Sequence, residues 1–216
     1  GGACVYNRVG LARIVGKQSL RSKKDEPRSV TILGSTGSIG RSTISILESQ
    51  PGQYQVVALT ARSNITLLVE QALRLRPKMV ALSEKTLYQD LKRELSGSGV
   101  KVGAGIDAVV EAAQMPADWV MAGIVGTAGL SPTLSAVRNG AVVALANKEC
   151  LVSAGDLLTR EVEEYGATLL PVDSEHNGIF QVFDFDRPTA VEKIVLTASG
   201  GPFRCFTKKQ MKRVTP

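Results

Sequence analysis

Cysteine and histidine are rare in this sequence, and long apolar runs are absent from it. The three cysteines, Cys4, Cys150 and Cys205, are far apart and form no C-x-x-C pair. This spacing indicates neither a disulfide framework nor a zinc site, and it favours a reducing, cytosol-like compartment. No apolar stretch approaches the roughly 20 residues of a membrane-spanning helix, so we expect no membrane partner. With 44% hydrophobic residues among 216, the chain is long enough for one substantial core and part of a second.

Acidic residues are clearly outnumbered only near the N-terminus. Residues 1–28 carry seven Lys or Arg and two Asp or Glu, which accounts for most of the formal net charge of +6. Because the remaining chain is close to neutral, we predict no nucleic-acid partner. The basic extension has no initiating methionine and no apolar segment of a secretory signal, so we leave it out of the fold. It is either a remnant of an Arg-rich transit peptide, which would place the protein in a plastid, or upstream or vector-derived sequence, which leaves a cytoplasmic protein.

A glycine-rich turn separates a short apolar run from a helical pattern. Ser29–Leu33 predicts a strand, the spacing G-x-x-G-x-x-G follows at residues 34–40, and Arg41–Leu47 has the apolar spacing of a helix. The free N–H groups of the first helical turn would point at a ligand over the glycine turn, as in pyrophosphate sites. A second apolar run, Val56–Leu59, arrives about twenty residues later, as expected of a dinucleotide-binding unit. We therefore predict a dinucleotide site, with a plain turn between strand and helix as the alternative.

The segment after the second strand bears on which dinucleotide binds. A site specific for NAD usually has Asp or Glu there, whereas this sequence has Thr60, Ala61, Arg62, Ser63 and Asn64. A guanidinium with neighbouring hydroxyl and amide groups suits the 2′-phosphate of NADP. The alternative is that Arg62 is a solvated loop residue and Asn64 a helix cap.

Strand and helix patterns alternate as far as Val172, which predicts a Rossmann-like α/β fold with a doubly wound, mostly parallel sheet. The predicted elements include a single helix over Glu84–Leu95 and a strand over Ile194–Thr197 that opens a second domain. A second glycine-rich loop, Gly123–Gly129, follows a buried strand. It either approaches the nicotinamide half of the ligand or only forms a tight turn.

Charged side chains follow the last two strands of the predicted sheet. Lys148 is either an electrostatic partner for an enolate, an alkoxide or a carboxylate, or a solvated residue at the start of a helix. Asp173 and Glu175 are two residues apart after a strand, so in extended backbone both carboxylates would project to the same side. Two such oxygen ligands suit Mg²⁺ or Mn²⁺, although this spacing is common by chance. His176, the only histidine, is interpreted as a hydrogen-bonded structural residue.

Six strings in one order carry a family resemblance. They are GSTGSIG (34–40), ALTARSN (58–64), GIVGTAGL (123–130), LANKE (145–149), LPVDSEHNGIFQ (170–181) and LTASGGPFR (196–204). Together they resemble the 1-deoxy-D-xylulose 5-phosphate reductoisomerase family over residues 29–216.

The resemblance implies an oxidoreductase and isomerase of isoprenoid precursor synthesis. Such an enzyme uses NADPH and Mg²⁺ or Mn²⁺ to rearrange a sugar phosphate, 1-deoxy-D-xylulose 5-phosphate, and to reduce the product to 2-C-methyl-D-erythritol 4-phosphate. The full-length form is expected to be a homodimer. The resemblance divides the chain into the basic extension 1–28, an NADPH-binding domain 29–172, and the first part of a catalytic, metal-binding α/β domain 173–216.

The resemblance also assigns site residues. The pyrophosphate positions are Thr36, Gly37, Ser38 and Ile39. The 2′-phosphate and adenosine positions are Arg62, Ser63 and Asn64, and further cofactor positions are Asn147 and Glu149. Lys148 and Glu175 match catalytic residues, and the substrate contacts are Lys148, Ser174, Glu175 and Ser199. Asp173 and Glu175 match two of three metal-binding carboxylates.

The family's third metal carboxylate, its mobile loop and its substrate-phosphate cluster come later than Pro216. We therefore expect this chain to bind NADPH without turnover. Two further interpretations stay open, namely a non-catalytic NADP-binding module and another Rossmann dehydrogenase. Asp173 and Glu175 favour the reductoisomerase over the module. The lack of a basic residue placed to activate Cys150 disfavours a thiol-dependent dehydrogenase.

Overall fold

The computed structural model describes residues 26–195 and 203–215. The chain divides into two compact units between Val172 and Asp173. No helix among these residues is long and apolar enough to cross a membrane.

The first unit is built on one parallel sheet of seven strands in the order β4-β3-β2-β1-β5-β6-β7. The strands are β1 (Arg28–Leu33), β2 (Tyr54–Ala61), β3 (Met79–Leu82), β4 (Lys101–Ala104), β5 (Trp119–Ala122), β6 (Val142–Leu145) and β7 (Thr168–Pro171). The apolar runs Met79–Leu82 and Trp119–Ala122 predict the third and fifth strands with these bounds, which are confirmed, and so is the Rossmann-like parallel arrangement.

Helices connect consecutive strands, because parallel strands cannot be joined by a tight turn. They are α1 (Ser38–Glu48), α2 (Ile65–Leu75), α3 (Tyr88–Glu94), α4 (Ile106–Gln114), α5 (Leu130–Arg138) and α6 (Lys148–Glu164). The sequence predicts helices over Ile65–Leu75 and Leu130–Arg138, and the bounds of α2 and α5 confirm both.

The central strands are buried on both faces. All residues from Val56 to Ala61 in β2 are buried, and so are all four residues of β3. Such continuous burial, without alternation, is what a parallel sheet covered by helices on each side requires. The sheet therefore holds the carboxyl ends of its strands at one well-supported edge.

The strand order reverses between β1 and β5, and the two glycine-rich segments meet there. The N–H of Gly123, after β5, donates to the carbonyl of Leu33 at the end of β1, at 2.9 Å. A Cβ added at Gly34 would lie 3.0 Å from the carbonyl carbon and oxygen of Gly123. In doubly wound sheets this reversal point is where a ligand binds across the strand ends.

Two elements of the first unit differ from the sequence expectation. The helix predicted over Glu84–Leu95 is instead a 3₁₀ turn, Lys85–Leu87, followed by α3. The sequence predicts one helix over Glu149–Tyr165, but within α6 Ala154 has non-helical angles (φ −147°, ψ 34°) and divides the helix into two parts. Helical periodicity alone does not reveal such breaks, because the apolar spacing continues through them.

The second unit contains α7 (Ser174–Val182), a 3₁₀ turn (Pro188–Ala190) and α8 (Lys208–Met211). The strand predicted over Ile194–Thr197 is wrong for its described part, since Ile194 and Val195 belong to no strand and are exposed. Leu196 and Thr197 lie outside the described residues. An apolar run forms a strand only beside a partner strand, and the described part of this unit provides none.

Candidate functional site

The first glycine turn starts at the end of β1, and its inner polar groups are bonded to β2 and α2. Gly34 has φ +84°, and its N–H donates to the Thr60 hydroxyl at 3.0 Å. The Ser35 N–H donates to the Thr60 carbonyl at 2.7 Å. The Ser35 hydroxyl donates to Gln71 Oε1 at 2.7 Å, and Gln71 Nε2 donates to the Ser35 carbonyl at 3.0 Å. These bonds leave the outer side of the turn to face a ligand.

The outer side of the turn is the N-terminus of α1, which no side chain caps. Gly37, Ser38 and Ile39 are exposed there. The N–H groups at the start of a helix have no intrahelical acceptor and carry partial positive charge, so they bind anions. The predicted pyrophosphate residues Thr36, Gly37, Ser38 and Ile39 all belong to this end.

Gly40 allows α1 to pack directly on the turn. A Cβ added at Gly40 would lie 2.3 Å from the carbonyl oxygen of Gly34 and 2.5 Å from the Cα of Ser35. Because both obstacles are backbone atoms, only glycine permits this close approach.

The three residues predicted to bind the 2′-phosphate follow β2 and are exposed. The side chain of Arg62 forms no hydrogen bond or ion pair with any residue in the described ranges. The Asn64 side chain accepts a hydrogen bond from the Leu67 N–H at 3.1 Å and caps α2, as the alternative interpretation predicted. Since β2 neighbours β1, an unpaired guanidinium and the Ser63 hydroxyl lie one strand away from the phosphate turn.

Asn147 fastens the second glycine loop to the start of α6. Its Nδ2 donates to the carbonyls of Ile124 at 2.6 Å and Gly126 at 2.7 Å, and its Oδ1 accepts from the Glu149 N–H at 3.0 Å. The side chain is buried, so these hydrogen bonds to the loop are shielded from water. Val125, between the two bonded carbonyls, is 82% exposed.

Lys148 and Glu149 form the exposed first turn of α6. Lys148 has no ion-pair partner within the described part of the chain. A cation at the positive end of a helix is unfavourable on its own, which favours the functional interpretation of Lys148 as a contact for an anionic ligand.

The neighbouring Cys150 is buried, in contrast to the exposed Lys148 and Glu149. Its side chain is buried, and burial raises the pKa of the thiol, against a smaller opposing effect of the hydrogen bond with Thr133. A thiol with a raised pKa is a poor nucleophile. This disfavours the thiol-dependent dehydrogenase.

An ion pair ties α6 to α5. Arg138 donates through Nε to Glu161 Oε2 at 2.6 Å and through Nη2 to Glu161 Oε1 at 2.9 Å. The hydrogen bond from Arg138 lowers the pKa of Glu161, and the same contact raises the pKa of Arg138. This fork-to-fork geometry fixes the second part of α6, beyond the break at Ala154.

The carboxylate segment has a different conformation from the one we predicted. Asp173 is the N-cap of α7 and Glu175 lies in its first turn, so the two residues do not share an extended strand. Asp173 accepts from the His176 N–H at 3.0 Å and contacts His176 Nδ1 at 2.7 Å. An aspartate three residues before a free N–H favours a helix cap over continued extension. The expectation of a hydrogen-bonded His176 is confirmed.

Ser174 and Glu175 line a groove of about 280 Å³ in the second unit, with Lys193 and apolar side chains such as Ile179 and Phe183. No group of three or more His, Cys, Asp or Glu side chains suitable for a metal ion occurs within the described residues. Asp173 and Glu175 lie within one helical turn, so their carboxylates are at most part of the oxygen-ligand set that Mg²⁺ takes up together with water. Ser199 lies outside the described residues.

Sequence reasoning missed Thr60 and Gln71, which hold the glycine turn. The signal for Gln71 was its place in α2 between Leu68 and Ala72, which are both fully buried. A polar residue on the apolar stripe of a helix needs a hydrogen-bond partner. Nothing in the sequence identifies Ser35 as that partner.

Family models match most of the chain. One, described as 1-deoxy-D-xylulose 5-phosphate reductoisomerase, matches residues 30–155, and another, described as the C-terminal domain of that enzyme, matches residues 169–216.

Individual relatives agree. A curated 1-deoxy-D-xylulose 5-phosphate reductoisomerase from Rhodospirillum centenum is 59% identical over 192 residues, which cover 89% of this chain and 48% of the relative. The solved structure of the Zymomonas mobilis enzyme in complex with NADPH has a TM-score of 0.81 at 54% identity, covering 88% of this chain and 50% of that one. A structure of DOX-P reductoisomerase in complex with magnesium has a TM-score of 0.77 at 38% identity, with coverages of 88% and 50%. The chain spans about half the length of the curated relatives it matches.

Proposed function

The chain belongs to the 1-deoxy-D-xylulose 5-phosphate reductoisomerase family, and we propose that it is the NADPH-binding part of such an enzyme. The reaction is the rearrangement of 1-deoxy-D-xylulose 5-phosphate and the reduction of the product to 2-C-methyl-D-erythritol 4-phosphate. The observation that carries the proposal is the meeting of the two glycine-rich segments at the reversal point of the sheet. The match of residues 169–216 to the C-terminal domain supports the enzyme over a non-catalytic NADP-binding module.

NADPH is the dinucleotide that the first unit fits. Its pyrophosphate would lie over the uncapped start of α1, at Thr36, Gly37, Ser38 and Ile39. Arg62, whose side chain has no protein partner among the described residues, would pair with the 2′-phosphate, and Ser63 would add a hydroxyl. Asn147 would shape the loop near the nicotinamide, and Glu149 would contact the cofactor from the first turn of α6. When bound, NADPH supplies the hydride.

The carboxylate segment would serve the substrate. Asp173 and Glu175 would hold Mg²⁺ or Mn²⁺, and the existence of a magnesium complex of a relative supports a divalent metal in this family. The metal, when bound, polarises substrate oxygens as a Lewis acid. Ser174 and Ser199 would contact the sugar phosphate, and Lys148 would stabilise negative charge that develops on it. A homodimer of the full-length form stays a prediction of the resemblance.

Binding of two dinucleotides tests the cofactor assignment. The chain is expected to bind NADPH more tightly than NADH, because Arg62 pairs only with the 2′-phosphate. Arg62→Ala should weaken NADPH by about 10- to 100-fold, the value of one charge-assisted hydrogen-bonded pair, and leave NADH unchanged. Arg160→Ala, an equal change of charge on the exposed side of α6, is the control. Equal affinities of the unaltered chain for NADPH and NADH would contradict the assignment.

We expect the 216-residue chain to bind NADPH without turnover, because Asp173 and Glu175 match only two of the three metal-binding carboxylates that the resemblance implies. The assay is NADPH oxidation with substrate and Mn²⁺, compared with Lys148→Ala. A rate above that of the Lys148→Ala chain would contradict this expectation.

A further inference from the structure

Gln71 is a fully buried polar side chain, and the hydrogen bonds of its amide group go to one residue of the phosphate turn. It is 1% exposed. Its amide oxygen accepts from the Ser35 hydroxyl at 2.7 Å, and its amide nitrogen donates to the Ser35 carbonyl at 3.0 Å, across 36 residues of sequence. Two bonds to one residue fix both the position and the orientation of Ser35.

Ser35 and Gln71 each belong to, or adjoin, a different part of the proposed cofactor site. Ser35 lies in the turn that precedes the pyrophosphate end of α1. Gln71 lies in α2, which starts at its cap Asn64, directly after Arg62 and Ser63. The Ser35–Gln71 pair therefore links the pyrophosphate segment to the 2′-phosphate segment through the interior of the protein.

Burial makes this link stiff. Replacing Gln71 by an apolar side chain would leave the Ser35 hydroxyl and carbonyl without partners in a dry environment, which costs more than a typical exposed hydrogen bond. The turn would relieve that cost by moving away from α2. Thr60 would still hold Gly34 and the N–H of Ser35, so such a shift would be local.

We infer that Gln71 is a positioning residue for NADP(H), since the Ser35–Gln71 pair sets the spacing between the pyrophosphate segment and the 2′-phosphate segment. The inference rests on the proposed function. A ligand that occupies both segments gains affinity from the correct spacing, whereas a ligand that occupies one segment does not.

The test compares NADPH with adenosine 2′-monophosphate, which has the 2′-phosphate but no 5′-phosphate to reach the glycine turn. Gln71→Met keeps the side-chain length and removes both hydrogen bonds. It is expected to weaken NADPH by about tenfold and adenosine 2′-monophosphate by less than about twofold. Thr133→Val, which removes a buried hydroxyl from α5, controls for lost stability and should leave both dissociation constants unchanged.

A second variant covers the case in which Gln71→Met does not fold. Ser35→Ala removes one hydroxyl only and should show the same preference for weakening NADPH, and Ser35→Ala with Gln71→Met should add little to Gln71→Met alone. Unchanged NADPH affinity, or equal weakening of both ligands, would overturn the inference while the proposed function stands. Failure of the unaltered chain to bind either ligand would overturn both.

Discussion

Gly40 has no side chain, and this allows α1 to pack against the backbone of the phosphate turn. We predict that Gly40→Ala lowers the free energy of unfolding by about 1–3 kcal/mol, as overpacking against fixed atoms does, and abolishes NADPH binding. The physical reason is the 2.3 Å approach of the added Cβ to the Gly34 carbonyl oxygen. Urea unfolding and NADPH titration measure the two effects.

Gly155→Ala is the matched control for this prediction. Gly155 is also helical, but a Cβ there meets nothing within 4 Å, and alanine favours a helix over glycine. The control should therefore be neutral or slightly stabilising. Equal effects of the two substitutions would contradict the steric argument.

Thr31 has a buried hydroxyl that destabilises the fold because it lacks a hydrogen-bond partner among the described residues. The residue is fully buried in β1. Thr31→Val keeps the shape and removes the unsatisfied oxygen, so we expect the free energy of unfolding to rise by about 1 kcal/mol, or the Tm by about 2–4 °C. The Thr133 hydroxyl is hydrogen-bonded to Cys150, so Thr133→Val should lower the Tm. A fall in Tm for Thr31→Val would indicate that its hydroxyl has a partner after all.

At the scale of elements, the ion pair between α5 and α6 predicts a pH dependence. Arg138 lowers the pKa of Glu161 below its ordinary value of 4.5 in the folded chain. A lowered folded-state pKa stabilises the protein above the unfolded-state pKa, and this contribution is lost as the pH falls through the folded-state pKa. We therefore expect Glu161→Gln to be less stable than the unaltered chain at neutral pH, and the difference to shrink below about pH 4.5.

Thermal unfolding between neutral and acidic pH measures this difference. Glu163→Gln, on the same helix but without an ion-pair partner in the described structure, removes an equal charge and is the control. A stability difference that is constant over this range would show that Glu161 contributes through packing and not through its charge.

The elements that sequence reasoning predicted are those whose evidence is local. Buried apolar runs bounded by glycine or proline gave β3 and β5 their bounds, and helical spacing did the same for α2. The break of α6 at Ala154 and the cap formed by Asp173 were missed, because each depends on bonds that periodicity does not encode. The glycine turn was predicted from its spacing, whereas its attachment to Gln71 was not, since the two residues meet only after β1 and β2 have paired.

At the scale of the whole molecule, the first unit contains every part of the proposed NADPH site. In the part of the chain that the structure describes, three clusters of buried apolar side chains also lie within residues 30–169. We predict that a chain ending at Val172 has the same Tm as the 216-residue chain, because no described core residue is removed. Its dissociation constant for NADPH should agree with that of the 216-residue chain within about twofold.

The full 216-residue chain is the reference for calorimetry and NADPH titration of the shorter one. Gly40→Ala in the shorter chain provides a non-binding control. Aggregation of the shorter chain, or a dissociation constant raised well beyond twofold, would mean that residues after Val172 support the first unit.

The contact between Gly34 and Gly123 has a further consequence for how the protein is made. The phosphate turn is synthesised early, but its supports come later in the sequence, at Thr60, Gln71 and Gly123, and Asn147, which fastens the second loop, comes later still. Contacts between such distant residues form slowly, because long loops must close first. A nascent chain on the ribosome should therefore acquire affinity for NADPH only after Asn147 has emerged, and the cofactor then stabilises six strands that are already made instead of guiding their assembly.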